Sequence, residues 1–462
     1  MVGRLTYEYA SRYLAEFNMG YNGTENFAKG KRFGFFPAVS LGWVISEEKF
    51  FPKNNIVKYL KVRGSYGEVG NDQIGGDRFL YLPSSYGAAS DSGVNKYNFG
   101  LASNPYTSLM IVENKIGNPD LTWEKAKKMN VGVDINLINK IKKKSFDIFK
   151  EKRNNILANR STSPMIIGAN LPAYNFGEME NRGWEMDLNF RHHIQDFHYW
   201  ARFNYSFARN EIIYMDEVQK RYDYQMTTGR RKNQFFGLIF DGYYNSWEEI
   251  NALDRPKSSW SGNQLQPGDV KYVDVNQDGV IDDYDMVPIG YTPVPEIIYG
   301  FSFGAQYKGF DFSILFQGAD NVSIKYFGRS MWPFAKGEES AKSLIKERWT
   351  QERYEAGEKI TFPRLSLNPN GETDHNYRPS TLWIRDASYL RLKNLEVGYT
   401  FTGGFVKRLN LNSVRLYFNG SNLFTWTDVV DLDPEAPSRS GNVEINTYPL
   451  QKVYNIGLNI NF

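Results

Sequence analysis

The chain contains no cysteine, so neither a disulfide framework nor a thiolate metal centre holds its 462 residues together. Histidine is almost as scarce, at His192, His193, His198 and His375. The first two are neighbours in an alternating segment and point to opposite faces, so they cannot share one metal there. They read as polar residues at a strand end. No apolar run approaches the ~20 residues that a transmembrane helix needs. Charge is nearly balanced, 55 basic against 52 acidic residues for a net +3. The basic residues are spread along the chain, which argues against a nucleic-acid partner. Nucleophile elbow, P-loop and dinucleotide fingerprint are all missing, so neither an organic cofactor nor enzymatic chemistry is expected. Met1 is not followed by the basic segment and apolar stretch of an export signal.

What the chain has in excess is aromatic residues. They make up 16%, with 31 Tyr and 32 Phe, yet the mean hydropathy is −0.53. A soluble core this rich in Tyr and Phe would carry a less polar average. A transmembrane barrel reconciles the two, because each strand sends one residue to lipid and the next to a polar lumen, with aromatic girdles at both interfaces.

Alternation supports that reading. In 299–307, Tyr299, Phe301, Phe303, Ala305 and Tyr307 face one way, while Gly300, Ser302, Gly304 and Gln306 face the other. After a tight Lys308-Gly309 turn, Phe310, Phe312, Ile314 and Phe316 resume the pattern. Period two recurs in Val39/Leu41/Trp43, Leu60/Val62/Tyr66, Val131/Val133/Ile135, Trp184/Met186/Leu188, Phe203/Tyr205/Phe207 and Leu416/Phe418. About thirteen strands are predicted, near 4–11, 13–21, 34–46, 58–69, 122–138, 144–153, 181–193, 196–211, 295–307, 309–319, 387–402, 411–425 and 448–462. The connections alternate between short and longer, the longest being 70–121, 212–294 and 320–386. Outer-membrane barrels sort their loops in this way, with short periplasmic turns and longer extracellular loops. By this parity Phe462 lies on the periplasmic side and the first strand starts outside. A single-chain barrel of even strand number begins and ends in the periplasm, so the expectation is a C-terminal portion of a larger barrel.

Several segments together carry a resemblance: RFGFFPAVSLGWVISEEKFF (32–51), YLKVRGSYGEVGND (59–72), NPDLTWEKAKKMNVGVD (118–134), ENRGWEMDLNF (180–190), the run from Gly268 to Asp320, SYLRLKNLEVGYTF (388–401) and DLDPEAPSRSGNVEINTYPLQKVYNIGLNINF (431–462). In this order they resemble the SusC/RagA-like TonB-dependent outer-membrane transporters. The resemblance implies an all-β fold, a transmembrane antiparallel barrel of roughly 22 strands of which this chain would supply about thirteen. It further implies an N-terminal plug carrying the TonB contact, neither of which is found in 1–462, and a SusD-like surface lipoprotein as lid. The cargo of such transporters is an oligosaccharide or a peptide. The competing readings are a barrel hydrolase of the outer membrane and a soluble carbohydrate-binding β-protein. The first would need a cluster of acid, base or nucleophile residues that is not evident, the second polar residues on the outward strand faces.

Two motifs suggest sites. Asp274, Asn276, Asp278, Val280 and Asp285 take positions 1, 3, 5, 7 and 12 of an EF-hand-type loop, with Gly279 at the sharp turn. Side-chain oxygens at alternate positions and the Val280 carbonyl would converge on Ca²⁺. Asp at position 12, where Glu is usual, requires a closer backbone approach. The plain alternative is an acidic solvated turn. At the C-terminus, Tyr454, Ile456, Leu458, Ile460 and Phe462 resemble the signal read by the barrel-assembly machinery. Among polar-face aromatics, Tyr417 is a candidate for stacking on sugars, although packing within the barrel is the plainer role.

Overall fold

The computed structural model describes the chain except for residues 54–55, 74–77, 83–86, 89–95, 102–105, 110, 113–115, 138–140, 163–170, 261–264, 327–330, 335–342, 367–373, 431, 436–441 and 444–448. Thirteen long strands form one sheet: β1 (Val2–Tyr9), β2 (Tyr13–Gly23), β3 (Phe33–Val44), β4 (Val57–Asn71), β5 (Glu124–Leu137), β6 (Ile141–Ala158), β7 (Tyr174–Ile194), β8 (Phe197–Tyr214), β9 (Ile297–Tyr307), β10 (Phe310–Asp320), β11 (Tyr389–Phe401), β12 (Ser413–Thr427) and β13 (Val453–Asn461). Each pairs antiparallel with its neighbours in sequence, so the sheet is an uninterrupted meander. The strand count and the alternation expected from sequence are both present.

Register turns that alternation into two chemically distinct faces. Trp184, for example, is opposed by Ile148 on β6 and Phe207 on β8, and Phe301 by Phe203 and Phe316. Many of these apolar side chains are open to the surroundings, among them Leu41, Val131, Phe310 and Ile456, the last 80% exposed. A sheet face this apolar and this uncovered is what lipid would cover. A slip of one residue anywhere would exchange the two faces, so the pattern fixes the register. At the Lys308-Gly309 turn both residues have positive φ, 46° and 90°, the twist a two-residue hairpin favours.

The connections sort by rim. Among the described residues, those of 10–12, 45–56, 195–196, 308–309 and 402–412 lie at one end of the strands, and those of 24–32, 72–123, 159–173, 215–296, 321–388 and 428–452 lie at the other. The second rim is the extracellular one in barrels of this architecture. On this rim the long connections are not separate loops. Segments of 215–296, 321–388 and 428–452 pack around one hydrophobic core that includes Leu238, Val270, Trp332, Trp349, Tyr377 and Trp383. Tyr377 stacks on Trp383 with ring centroids 5.3 Å apart. A three-stranded sheet ties the same segments together: Ser323–Tyr326 pairs with both Ile384–Asp386 and Asn442–Val443. Aromatic side chains this large each bury on the order of 150–250 Å², enough to make the outer rim a folded body.

Candidate functional site

Three groups of residues stand out, two in the outer body and one on the polar face of the sheet.

The acidic loop adopts a compact, internally bonded turn. The Gly279 amide donates to Asp274 Oδ2 at 2.8 Å, and the Asp278 amide to Asn276 Oδ1 at 3.0 Å. Gly279 has φ +81°, a conformation that a side chain would oppose. Asp285 is fully buried. Its carboxylate accepts from the amides of Val275 (2.8 Å), Asn276 (3.4 Å) and Asp282 (2.9 Å). Burial pushes the Asp285 carboxyl above its ordinary range, against the pull of those three amides. Val280 pairs with Lys257 in a short parallel bridge that anchors the loop to the body. All five expected ligands therefore belong to one turn, and one oxygen, Asp274 Oδ1, is buried without a hydrogen-bond partner. That orphaned oxygen fits a cation. The carboxylates alone do not suffice: among the described residues no three His, Asp or Glu side chains converge as a metal set. A bound ion would also need Asn276 and the Val280 carbonyl.

Beside the loop lies a buried polar cluster that the sequence did not announce. Asp269 accepts from Arg364 Nε at 2.6 Å, from Asn376 Nδ2 at 2.7 Å and from the Gln266 amide at 2.7 Å. His375 sits 2.8 Å from the Val270 carbonyl through Nε2 and 2.8 Å from Ser258 Oγ through Nδ1. A carbonyl can only accept, so Nε2 carries the proton and the Ser258 hydroxyl donates to Nδ1. Burial, first of all, holds the His375 imidazole below its ordinary pKa. This is a structural histidine. The other three lie at the opposite rim, where His193 and His198 are directly paired across β7 and β8.

The polar face carries guanidinium bridges that reach over glycine. Arg63 on β4 is registered against Gly132 on β5, which is registered against Asp147 on β6. Arg63 crosses that glycine to bond Asp147 at 2.6 Å and also bonds Asp134 at 3.3 Å. A Cβ at Gly132 would lie 2.5 Å from Asp147 Oδ1 and 2.8 Å from Arg63 Cζ. The arrangement repeats at the other end of the sheet. Arg415 on β12 passes over Gly398 on β11 to reach Asp311 on β10, with Nε 2.9 Å from Oδ1, and bonds Glu396 at 2.6 Å. Tyr417 lies against Gly457 and under the Arg415 guanidinium, so packing already occupies its ring. Nearer the outer rim, buried Arg391 binds Asp433 at 2.5 Å and Glu435 at 2.7 Å, pinning the 433–435 segment to the sheet. A cleft of about 300 Å³ has Glu151, Arg153, Asn181, Arg231 and Glu296 in its wall. The charges of these bridges are visible in sequence as polar positions of the alternation. Their pairing is not, because it depends on register across three strands.

On β13, Tyr454, Ile456, Leu458 and Ile460 share the apolar face, and Phe462 is 88% exposed. The Phe462 carbonyl accepts from Asn412 Nδ2 at 2.6 Å.

Comparison with known proteins agrees with this architecture. The family model described as TonB dependent receptor-like, beta-barrel matches residues 2–423. TonB-dependent receptor P3 of Formosa agariphila is 28% identical over 100% of this chain and 45% of its own length. TonB-dependent receptor SusC of Bacteroides thetaiotaomicron is 28% identical over 100% of this chain and 43% of its own length. Among solved structures, the RagAB peptide transporter superposes with a TM-score of 0.75 at 22% identity, covering 100% of this chain and 47% of that one. The chain thus spans about half the length of the curated relatives it matches.

Proposed function

Since this chain belongs to the TonB-dependent receptor-like β-barrel family and so resides in the outer membrane, we propose that it supplies the wall and outer gate of an importer driven through TonB. The cargo we infer is an oligosaccharide or a peptide, received with a SusD-like surface lipoprotein at the extracellular rim. The observation that carries this reading is the pairing of two faces. An uncovered apolar face suits lipid, while the opposite face, lined by ion-paired Arg63, Arg391 and Arg415, suits a water-filled passage for polar cargo. The polar cleft at the outer end of that face is consistent with such a cargo. The likeness to SusC and to the RagAB peptide transporter favours the partner and the cargo classes. Neither a hydrolase nor a soluble lectin is favoured, since the relatives are named as receptors and the outward face is apolar.

The test is uptake by cells making the full-length protein. Labelled oligosaccharide and peptide pools should accumulate only with an intact TonB system and the neighbouring lipoprotein. Accumulation that is unchanged when TonB is inactivated would overturn the reading.

For the 274–285 loop we infer a Ca²⁺ ion held by Asp274, Asn276, Asp278, Asp285 and the Val280 carbonyl, supported by the partnerless Asp274 oxygen. Its role would be to stiffen the outer body and to offset the charge repulsion between Asp274 and Asp285.

A further inference from the structure

The apolar face ends toward the extracellular rim in a row formed by Val131, Ile148, Trp184 and Phe207, each the registered partner of the next. One pleat period higher the row reads Met129, Lys150, Arg182 and Arg209. Three cations therefore stand side by side on β6, β7 and β8. Directly opposed like charges, with Cβ atoms only ~5 Å apart, destabilise a sheet. In the row beyond, Lys127 opposes Lys152 as well. Carboxylates pair with four of these five cations, and Glu211, registered against Glu180, adds a fifth carboxylate to the same face. Lys150 meets Glu180 at 2.8 Å, Lys152 meets Glu178 at 2.9 Å, Lys127 is 4.0 Å from Glu68, and Arg209 turns to Glu296. The side chains of Lys150 and Lys152 are still 53% and 44% exposed. Arg182 is exposed and, among the described residues, has no ion pair.

Height identifies a partner for Arg182. Trp184 stacks on Tyr205 with centroids 4.7 Å apart, an aromatic pair at the outer edge of the apolar band, where interfacial aromatics sit. Arg182 is two residues further along the strand, ~6–7 Å higher, and faces outward. In an outer membrane that height corresponds to the headgroup layer, on the face away from the passage. On this rim those headgroups belong to the outer leaflet, whose glycolipids carry phosphate on their sugars. An arginine fork matches phosphate in a bidentate manner, and neighbouring lysines add mobile point charges.

We propose that Lys150 and Arg182, flanked by Lys127 and Lys152, bind the sugar-linked phosphate of an outer-leaflet glycolipid and so fasten that lipid to the barrel wall. This rests on the outer-membrane placement but not on the identity of the cargo, which enters from the other face.

The experiment uses the full-length protein in detergent, native and as the double variant Lys150→Gln/Arg182→Gln. Native mass spectrometry reads binding of a glucosamine-based glycolipid, phosphorylated or dephosphorylated. Lys407→Gln/Arg408→Gln, at the opposite rim, is the control. The native protein and the control should retain the phosphorylated lipid, and the double variant should bind it at least roughly tenfold more weakly. The dephosphorylated lipid should show no preference among the three proteins. A large excess of inorganic phosphate should leave the complex intact. Equal binding by the native protein and the double variant would overturn the proposal, as would displacement by inorganic phosphate, which would mark an anion site without lipid specificity. Should the double variant fail to assemble, the native protein decides. Retention should fall as ionic strength rises from ~0.1 to ~1 M, and retention independent of salt would refute the site. Failure here with TonB-dependent uptake intact would leave the proposed transport function standing.

Discussion

Adding one methyl group at Gly398 tests whether the guanidinium bridges on the polar face are real constraints. The Cβ of Gly398→Ala would lie 2.7 Å from Arg415 Nη2 and 2.8 Å from both Asp311 oxygens. No side chain tolerates such contacts, so the bridge must shift or break. The displaced atoms are the ends of flexible side chains, and the steric cost alone is small. The loss comes from the hydrogen bonds between charged groups, worth about 1.5–3 kcal/mol. With side-chain exposures of 22% and 19%, water recovers part of that loss. Replacing glycine by alanine within a strand returns about 0.5–1 kcal/mol through reduced backbone entropy. The expected net is about 1–2 kcal/mol of destabilisation, a factor of roughly 5–30 in the unfolding equilibrium. Urea titration of the full-length protein, followed by tryptophan fluorescence and by the mobility of folded and unfolded barrel on gels, would read it. The decisive comparison is the same change in an Arg415→Ala background. With the guanidinium gone the Asp311 carboxylate is no longer held and can turn away from the added methyl, so Gly398→Ala should become neutral or stabilising. An equal cost in both backgrounds would refute the bridge as the reason for glycine.

Deleting Phe462 from the full-length protein should cut the folded barrel in outer membranes several-fold; normal levels would end its role as an assembly signal. Calcium should slow proteolysis within 215–296, and Asp278→Ala should remove that protection; cleavage at the same rate with calcium and with chelator would exclude the ion. Without calcium, the raised carboxyl of Asp285 means that the folded loop gains stability on protonation. Its proteolysis should therefore slow as pH falls toward ~4, the ordinary value of Asp. His375 works in the other direction. Its depressed pKa stabilises the outer body above ~6.5 and loses that contribution as pH falls through this value. Amide-exchange protection at 375–384 should decline between pH 7 and 5, and the decline should vanish in His375→Gln.

The sheet was legible because its signal is local and repeated. In β9 every second residue from Tyr299 to Tyr307 reports its face, and the Lys308-Gly309 turn sets the pairing with β10. The outer body was not. Its core residues Trp332, Trp349, Tyr377 and Trp383 sit in strands and turns of two to five residues, too short to show a period. Much of their core is completed by contacts between distant segments, as when the Val270 amide donates to Asn376 Oδ1, a hundred residues away and more. The acidic loop was readable as a spacing of ligands, whereas the role of Asp285 as acceptor for three amides depends on its burial. The bridges over Gly132 and Gly398 combine both cases: the residues are visible in the alternation, and the partner two strands away is not.

The shared core of the long connections bears on how such a rim can change over evolutionary time. Each connection contributes side chains that the others need. An insertion or replacement in 321–388 would therefore deprive Leu238, Val270 and Val429 of part of their packing, and would be felt in segments whose own sequences are untouched. Exchanging one connection with that of a relative should yield a misfolded rim, while exchanging 215–296, 321–388 and 428–452 together should preserve it. New specificities would then arise less by altering single loops than by inheriting the whole cap as a unit.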